Sequence, residues 1–448
     1  MDLNRLAEMA REEPGRKFLS IAHLLTPQAL YEAFGRLRKN ASAGVDELTY
    51  RQYEPQARER IEELHERLKS KRYRAHPLRR VYIEKEDGRE RPISIPALED
   101  KIVQRATVTL LEAIYEQDFL PCSFGFRPRR GAQQALDEVG RTICRDSTEY
   151  VLKLDIVSYF DSVVREHLMA MIERRVGDGS ILRLIRKWVH VGVIEDGRLL
   201  VSERGTGQGQ VISPLLSNIY LHVVLDEWFE NEVKPRLRGK AFEIRYADDG
   251  LLCFQYREDA ERVLQVLPKR FAKYGLTLHP EKTCLIEFGR AAHWQGRRTG
   301  VKPATFDFLG FTHLTATSLR GKFTIHLKTM KKRLRRALKA LNVWCREHRH
   351  DRLESQWTIL CAKLRGHYQY YGRPTNSRSL RQFYRVVRRL WHTWLNRRTR
   401  GNTLNWARFA RLLAYYPLPQ PTITRAWATI SARPSRRTRC GKSARWGQ

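Results

Sequence analysis

At 448 residues the chain can bury a substantial core and fold as two or three units. Its 42% hydrophobic content and ten tryptophans exclude a disordered chain, and seven scattered cysteines without a C-x-x-C pair exclude a zinc ribbon. The net charge of +34 is lopsided: 35 Lys/Arg face four Asp/Glu from residue 291 onward, whereas the first 290 residues are nearly balanced, a distribution that predicts a polyanionic partner, namely nucleic acid, and not charge added for solubility.

The N-terminus, MDLNRLAEMAREEPGRKF, has no apolar signal core and no run is long enough to span a membrane, so a soluble, cytoplasmic protein with reduced thiols is expected. Residues 1–72 read as polar and amphipathic helices, interrupted at the Ala-Ser-Ala-Gly of 41–44. LRRVYIEKEDGRERPISI, 78–95, predicts a β-hairpin turning at Asp87-Gly88. EDKIVQRATVTLLEAIYEQDF has helical spacing, with Ile102, Val103, Ala106 and Leu110 on one face. YVLKLDI, 150–156, reads as a strand ending at a carboxylate. Ser213-Pro214 is a helix start, with serine as the cap, and Leu216, Ile219 and Val223 follow at helical spacing.

FEIRYADDGLLCFQY, 242–256, predicts a second hairpin with Asp248, Asp249 and Gly250 at its tip. A helix near 258–274 and a strand at TCLIEF complete an α+β body of helices and mostly antiparallel hairpins. GRAAHWQGRRTGVKPA, 289–304, reads as a basic loop, and beyond FDFLGF, 306–311, the chain is expected to be helical and basic. There Leu380, Phe383, Val387, Leu390, Trp391 and Trp394 form an apolar stripe, with Arg381, Arg385, Arg388 and Arg389 mostly off it.

Three acids are candidates for one metal site: Asp155 at its strand end, and Asp248 and Asp249 at the hairpin tip. Nucleotidyl transfer uses two Mg²⁺ ions that clamp attacking and leaving oxygens, and Mg²⁺ prefers carboxylate oxygens. Any one of these aspartates alone reads as a turn or cap residue, so the surroundings decide.

Those surroundings resemble the reverse transcriptases encoded by group II introns, over nearly the whole chain. YADD, 246–249, is similar to their polymerase hairpin, and KLDIVSYFDSV to the motif that supplies the first metal-binding aspartate, here Asp155. The resemblance implies a steric gate at Phe160, which crowds the 2′ position of an incoming nucleotide. GTGQGQVISPLLSNIYLH, 205–222, resembles the family's G-T-P-Q-G-G-x-x-S-P-L-L segment and implies that Gln208 and Gly209 line the nucleotide and template base. Gly207 stands where the family has proline, Gln210 where it has glycine, and Gly250 where it often has a bulky apolar residue. IEKEDGRERPISIPALEDKIVQRA resembles the fingers hairpin and implies triphosphate contacts from Lys85 and Arg91, whose cations can neutralise a leaving pyrophosphate. SFGFRPRRGAQQAL resembles another fingers block, LTLHPEKT the segment with the family's pyrophosphate-protonating lysine, and FDFLGF its primer grip. The resemblance implies a template or nucleotide contact at Arg127, that proton donor at Lys282 and the grip at Phe308, Leu309 and Gly310.

The C-terminal helices with LRGHYQYYG, 364–372, resemble the thumb or maturase region. Their basic face, with Lys331, Lys332, Arg335, Arg385, Arg388 and Arg389, is the RNA-binding candidate, and most of their aromatics are expected in the core. Two motifs are decoys: Gly441-Lys442-Ser443 lacks the rest of a phosphate loop, and Cys345, His348 and His350 lack a second pair for zinc. No zinc and no H-N-H endonuclease are expected.

The resemblance thus implies a right-hand polymerase: an N-terminal extension (1–40), fingers and palm on antiparallel sheet (41–313), an all-α basic thumb/maturase domain (314–425) and a basic flexible tail (426–448). It implies RNA-directed DNA synthesis with two Mg²⁺ ions, dNTPs, a DNA primer and an RNA template. It also implies binding of group II intron RNA in splicing and retrohoming. The alternatives are a splicing-only maturase and a domesticated relative serving DNA repair or phage defence.

Overall fold

Helix-capping chemistry sets the N-terminal elements. Asp2 accepts a hydrogen bond from the Arg5 amide at 2.8 Å to start the helix Leu3–Glu12, and Thr26 followed by Pro27 starts Pro27–Gly35. Together with Ala57–Lys69 they bury Leu6, Leu30, Phe34, Ile61 and Leu64 in one core. The long helix Leu98–Asp118 runs through that core, with Ile102, Val103, Ala106 and Leu110 all buried, as their spacing requires. The structure, a computed structural model, describes residues 2–84, 90–146, 148–195, 198–200, 205, 207–398 and 404–425. The expected turn at Asp87-Gly88, Lys85, the tail 426–448 and the decoy at 441–443 lie outside the described residues.

Eleven strands are described: β1 (Leu78–Glu84), β2 (Glu90–Ile95), β3 (Tyr150–Leu154), β4 (Val193–Glu195), β5 (Arg198–Leu200), β6 (Ala241–Tyr246), β7 (Asp249–Phe254), β8 (Cys284–Glu287), β9 (Phe306–Phe308), β10 (Phe311–Thr317) and β11 (Phe323–Thr329). The first sheet has the order β2-β1-β4-β5, with β1 and β4 parallel. The second, β6-β7-β3-β8, is wholly antiparallel. Its central strands β3 and β7 are almost continuously apolar because both faces are covered. The helix Arg257–Lys273 packs against both of them.

Three local expectations are corrected. Ser213 is the first helical residue and not the cap: its hydroxyl donates to the Gly207 carbonyl at 3.0 Å, and Ile212 holds the cap position. The segment read as a basic loop contains the helix Arg290–Thr299. Its apolar pattern is too short to reveal it; tertiary bonds fix it instead, from the Ala291 amide to Glu149 and from His293 to Thr315 and Thr317. The chain after FDFLGF is not helical at once but forms the hairpin β10–β11, in a sheet of order β11-β10-β9. The β9–β10 turn uses Leu309 at φ 47° and Gly310 at φ 78°, the pair of left-handed residues of a type I′ hairpin turn.

The chain divides into two compact units, 1–325 and 326–448. The second holds the helices Lys331–Glu347, Leu353–Tyr371, Ser377–Asn396 and Trp406–Tyr415. Leu380, Phe383, Val387 and Trp391 are fully buried there, and the Trp391 indole N–H donates to Gln356 at 3.0 Å. Lys331, Lys332, Arg335, Arg385 and Arg389 are exposed, whereas Arg388 is half-buried. Cys345 is buried and His348 stacks on Trp344, with its Nδ1 3.0 Å from the Trp344 carbonyl.

The same unit contains a built-in acid sensitivity. His367 stacks on Phe383 at 3.7 Å, its Nε2 is buried without a hydrogen-bond partner, and burial pushes its pKa down to about 4. The unfolded chain protonates this ring near the ordinary value of about 6.5. Between those values the unfolded state binds more protons, so stability is full above the unfolded pKa and falls as the solution is acidified. Denaturant unfolding of the full chain should show this term, about 1–3 kcal/mol lost on going from pH 7 to pH 4, and His367→Leu should remove it. An equal acid loss in the variant would refute the assignment.

Candidate active site

The register of the second sheet brings the predicted acids together. Leu154 on β3 pairs with Gly250 on β7, so Asp155, the next residue, stands beside Asp249 at the end of the neighbouring strand. Tyr246 pairs with Asp249, which leaves Ala247 and Asp248 as the two-residue loop of the β6–β7 hairpin. Ala247 takes φ 56°, the left-handed conformation such a loop requires. Asp248 is partly buried; burial and then the charge of Asp155 raise its pKa, while Arg91 and Arg245 oppose the rise. Asp249 is exposed.

Asp155 is clasped from the other side. Its carbonyl accepts the His279 amide at 2.8 Å and the Thr283 hydroxyl at 3.3 Å. From the same segment Lys282 brings its ammonium 3.5 Å from an Asp155 oxygen. Burial first, and the Asp155 charge after it, make an ionised Asp248 unfavourable in the unliganded site, which favours a cation beside these carboxylates. An all-oxygen carboxylate set at the edge of solvent fits hard divalent ions such as Mg²⁺.

The remaining predicted residues gather around this point. Ser158 at φ 43° turns the chain into the helical turn Tyr159–Ser162, where Phe160 lies half-buried with its ring 5.4 Å from that of Tyr159. Gly205 packs on that turn: a Cβ there would lie 3.0 Å from the Phe160 carbonyl oxygen, and its own carbonyl accepts from Arg165 at 3.1 Å. Next in the loop, the Gln208 carbonyl accepts the Ser94 amide at 2.6 Å, which ties the loop to β2, the strand that carries Arg91. Gly209 has φ +115°, and a Cβ there would meet the Ser94 carbonyl oxygen at 2.7 Å.

The two residues that depart from the family's loop pattern fit each other. The buried Gln210 amide donates to the Trp188 carbonyl at 3.0 Å and accepts from Gln104 at 2.9 Å. A Cβ on Gly207 would come within 2.7 Å of that amide nitrogen and 2.6 Å of Leu78. With Gln210 in this pocket, a side chain at position 207 would have to displace the Gln210 amide and the Leu78 side chain.

Arg127 does not face a ligand. Its side chain is 4% exposed and pairs with Glu116 at 3.0 Å. It also donates to the carbonyls of Leu120 and Ser123. The expected template or nucleotide contact is therefore corrected to an internal clamp on the loop 119–127. Phe308, Leu309 and Gly310 form the β9–β10 turn described above.

Sequence reasoning missed the residues beneath the hairpin. Cys122, Asp226 and Glu243 hold ligand-type atoms within 4.8 Å of one another, but the Arg245 guanidinium already binds Asp226 through two contacts of 2.7 and 2.6 Å. Burial, and then the nearby Asp226 charge, raise the pKa of Glu243 well above the usual carboxylate range. Glu243 and Arg245 share one face of β6 by the two-residue strand period, and two charges on an otherwise apolar strand were the available signal. Phe126 is 51% exposed with φ 57°, and its ring lies 6.5 Å from that of Tyr246.

Known proteins share this arrangement of sequence. Residues 83–313 match the family described as reverse transcriptase (RNA-dependent DNA polymerase), just over half of the chain. The chain is 35% identical over 280 residues to Protein YkfC of Escherichia coli, an alignment covering 55% of this chain and 74% of that one. It is 30% identical over 281 residues to the group II intron-encoded protein LtrA of Lactococcus lactis, covering 60% of this chain and 46% of LtrA. A 91 kDa protein in the cob intron of Schizosaccharomyces pombe is 32% identical over 235 residues, covering 51% of this chain and 29% of that one. The chain thus spans less than half the length of these two intron proteins. The resemblance to group II intron-encoded reverse transcriptases is borne out, and the chain belongs to the reverse transcriptase (RNA-dependent DNA polymerase) family.

Proposed function

We propose that the chain is an RNA-directed DNA polymerase of the group II intron type, which extends a DNA primer along an RNA template and binds intron RNA through its basic C-terminal unit. The observation that supports this most is the meeting of Asp155, Asp248 and Asp249 at adjacent strand ends, with Arg91 and the Gln208 loop fastened beside them. In this reading the antiparallel sheet is the palm, the β1–β2 sheet the fingers, and the helical unit the thumb.

Asp155, Asp248 and Asp249 would hold two Mg²⁺ ions, which when bound supply charge neutralisation at the reacting phosphate. The primer 3′ oxygen forms a bond to the α-phosphorus, the bond to the β-phosphate oxygen breaks, and pyrophosphate leaves. Arg91 offers a guanidinium to the triphosphate, and Lys282, beside Asp155, can give a proton to the departing pyrophosphate. Gln208, whose carbonyl is bonded to β2, and Gly209, which packs on Ser94 of that strand, form a floor for the nucleotide. The exposed Lys331, Lys332, Arg335, Arg385 and Arg389 suit phosphate contacts along RNA. No helix of the described residues is long and apolar enough to cross a membrane.

Phe160 supplies a specific test. Its backbone packs close to Gly205 and its ring lies edge-on to Tyr159, a placement that suits a wall against a 2′-hydroxyl. Replacing it with valine should keep dNTP incorporation while reducing discrimination against rNTPs by on the order of 10- to 100-fold. Ratios of kcat/KM for matched dNTP and rNTP on one RNA template measure this, and an unchanged ratio would remove Phe160 from the sugar contact.

A further inference from the structure

The buried guanidinium under the hairpin makes more contacts than charge neutralisation needs. Arg245 is 1% exposed, and besides its two bonds to Asp226 its Nη1 donates to the Ala247 carbonyl at 3.0 Å and to Asn218 Oδ1 at 3.1 Å. Ala247 is the residue immediately before Asp248. Asn218 in turn donates to the Gly125 carbonyl at 2.8 Å, and Gly125 packs directly on the Ala247 backbone. Asp226 sits in the π-helical turn His222–Asp226, a geometry that recurs at functional sites. One side chain therefore joins the catalytic turn, the helix Ser213–Leu221 and a π-helical carboxylate.

A buried ion pair is a weak device for stability, since apolar side chains of similar size often replace one without loss. What it provides here is direction. Two donors fix the plane of the guanidinium on Asp226, and a third then grips the carbonyl that sets the peptide plane of Asp248.

We infer that Arg245 is a positioning residue for nucleotide addition: braced on Asp226 and Asn218, it holds the Ala247 carbonyl and thereby aims the Asp248 carboxylate at Asp155. This rests on the reading of Asp155, Asp248 and Asp249 as the metal-binding carboxylates. A lysine at 245 keeps the charge but cannot span Asp226 and the turn together, so Arg245→Lys separates aim from charge.

The test follows single-nucleotide extension of a primer on an RNA template across a Mg²⁺ series, with thermal unfolding measured in parallel. For Arg245→Lys the expected kcat falls by on the order of 100-fold, as for a catalytic group misplaced by about 1 Å, and the Mg²⁺ concentration for half-maximal rate rises several-fold. The dNTP KM stays near the parent value. Ile61→Val, a buried change in the helix Ala57–Lys69, should lower the unfolding temperature and leave the Mg²⁺ midpoint alone. If Arg245→Lys fails to fold, the paired change Arg245→Met with Asp226→Leu removes both charges together and should fold but show the same slow kinetics. A parental rate and Mg²⁺ midpoint in whichever Arg245 variant folds would overturn the assignment. Asp248→Asn is run alongside: if it is inactive while the Arg245 variants are parental, only the role of Arg245 fails, and if it is itself fully active, the carboxylate reading fails and takes this inference with it.

Discussion

Asp248→Asn should lower the rate of nucleotide addition by on the order of 1,000-fold or more while leaving the fold intact and raising its thermal stability. The two effects share one cause. Burial and the neighbouring Asp155 charge make an ionised Asp248 unfavourable in the unliganded protein, as its raised pKa records. Asparagine keeps the shape, removes the repulsion and removes the oxygen charge a divalent cation needs. Activity lost with stability gained is the signature of a strained functional site, since an ordinary turn aspartate would show neither. The measurement is single-turnover primer extension together with thermal unfolding in the absence of divalent ions. A variant both inactive and destabilised would mean that Asp248 serves the fold.

Gly125→Ala is expected to be nearly as damaging, through the backbone alone. A Cβ at position 125 would lie 2.2 Å from the Ala247 amide nitrogen and 2.9 Å from the Tyr246 carbonyl carbon. No rotamer change relieves a clash between a Cβ and a neighbouring backbone, so either the 122–126 strip or the catalytic turn must move. The strip is fastened to β6 by the Phe124 amide to the Arg245 carbonyl and the Arg245 amide to the Cys122 carbonyl, both at 2.8 Å, and is clamped from behind by Arg127. The turn is therefore the part that yields. A displacement of about 1 Å there should cost on the order of 100-fold in kcat, with about 1–3 kcal/mol of stability lost to overpacking. Extension kinetics and denaturant unfolding check both numbers, and a fully active Gly125→Ala would show that the turn tolerates movement.

How far the site could be read from sequence depended on whether its parts are local. The hairpin at RYADDG and the strand ending at Asp155 follow from two-residue periodicity and turn chemistry, and the register then brings the carboxylates together as expected. Phe160 lies five residues from Asp155, in the helical turn Tyr159–Ser162 that follows it. The supports were hidden because they join distant segments: Arg245 meets an aspartate 19 residues upstream, and Gly125 meets a turn 122 residues ahead. Arg127 was misassigned because the resemblance of its segment to a fingers block implies a ligand contact, and only its four internal acceptors reveal the clamp.

The same contrast holds for the fold. The apolar stripe at 380–394 was plain at helical spacing and is the core of the C-terminal unit. The strands β10 and β11 were obscured by the basic composition of that region, although FTHLTAT is rich in the β-branched threonine that suits a half-buried strand. The helix Arg290–Thr299 has only His293 fully buried, too little for a stripe to show, and is held by bonds to Glu149 and to β10.

Primer extension on an RNA template, with one labelled DNA primer and a single matched dNTP, tests the central claim most directly. The parent protein with Mg²⁺ should add one nucleotide and release one pyrophosphate per primer, and the Asp155→Asn, Asp248→Asn and Asp249→Asn proteins should bind the same duplex without extending it. Extension by the three variants at the parental rate, or a folded, duplex-binding parent that adds nothing, would contradict it.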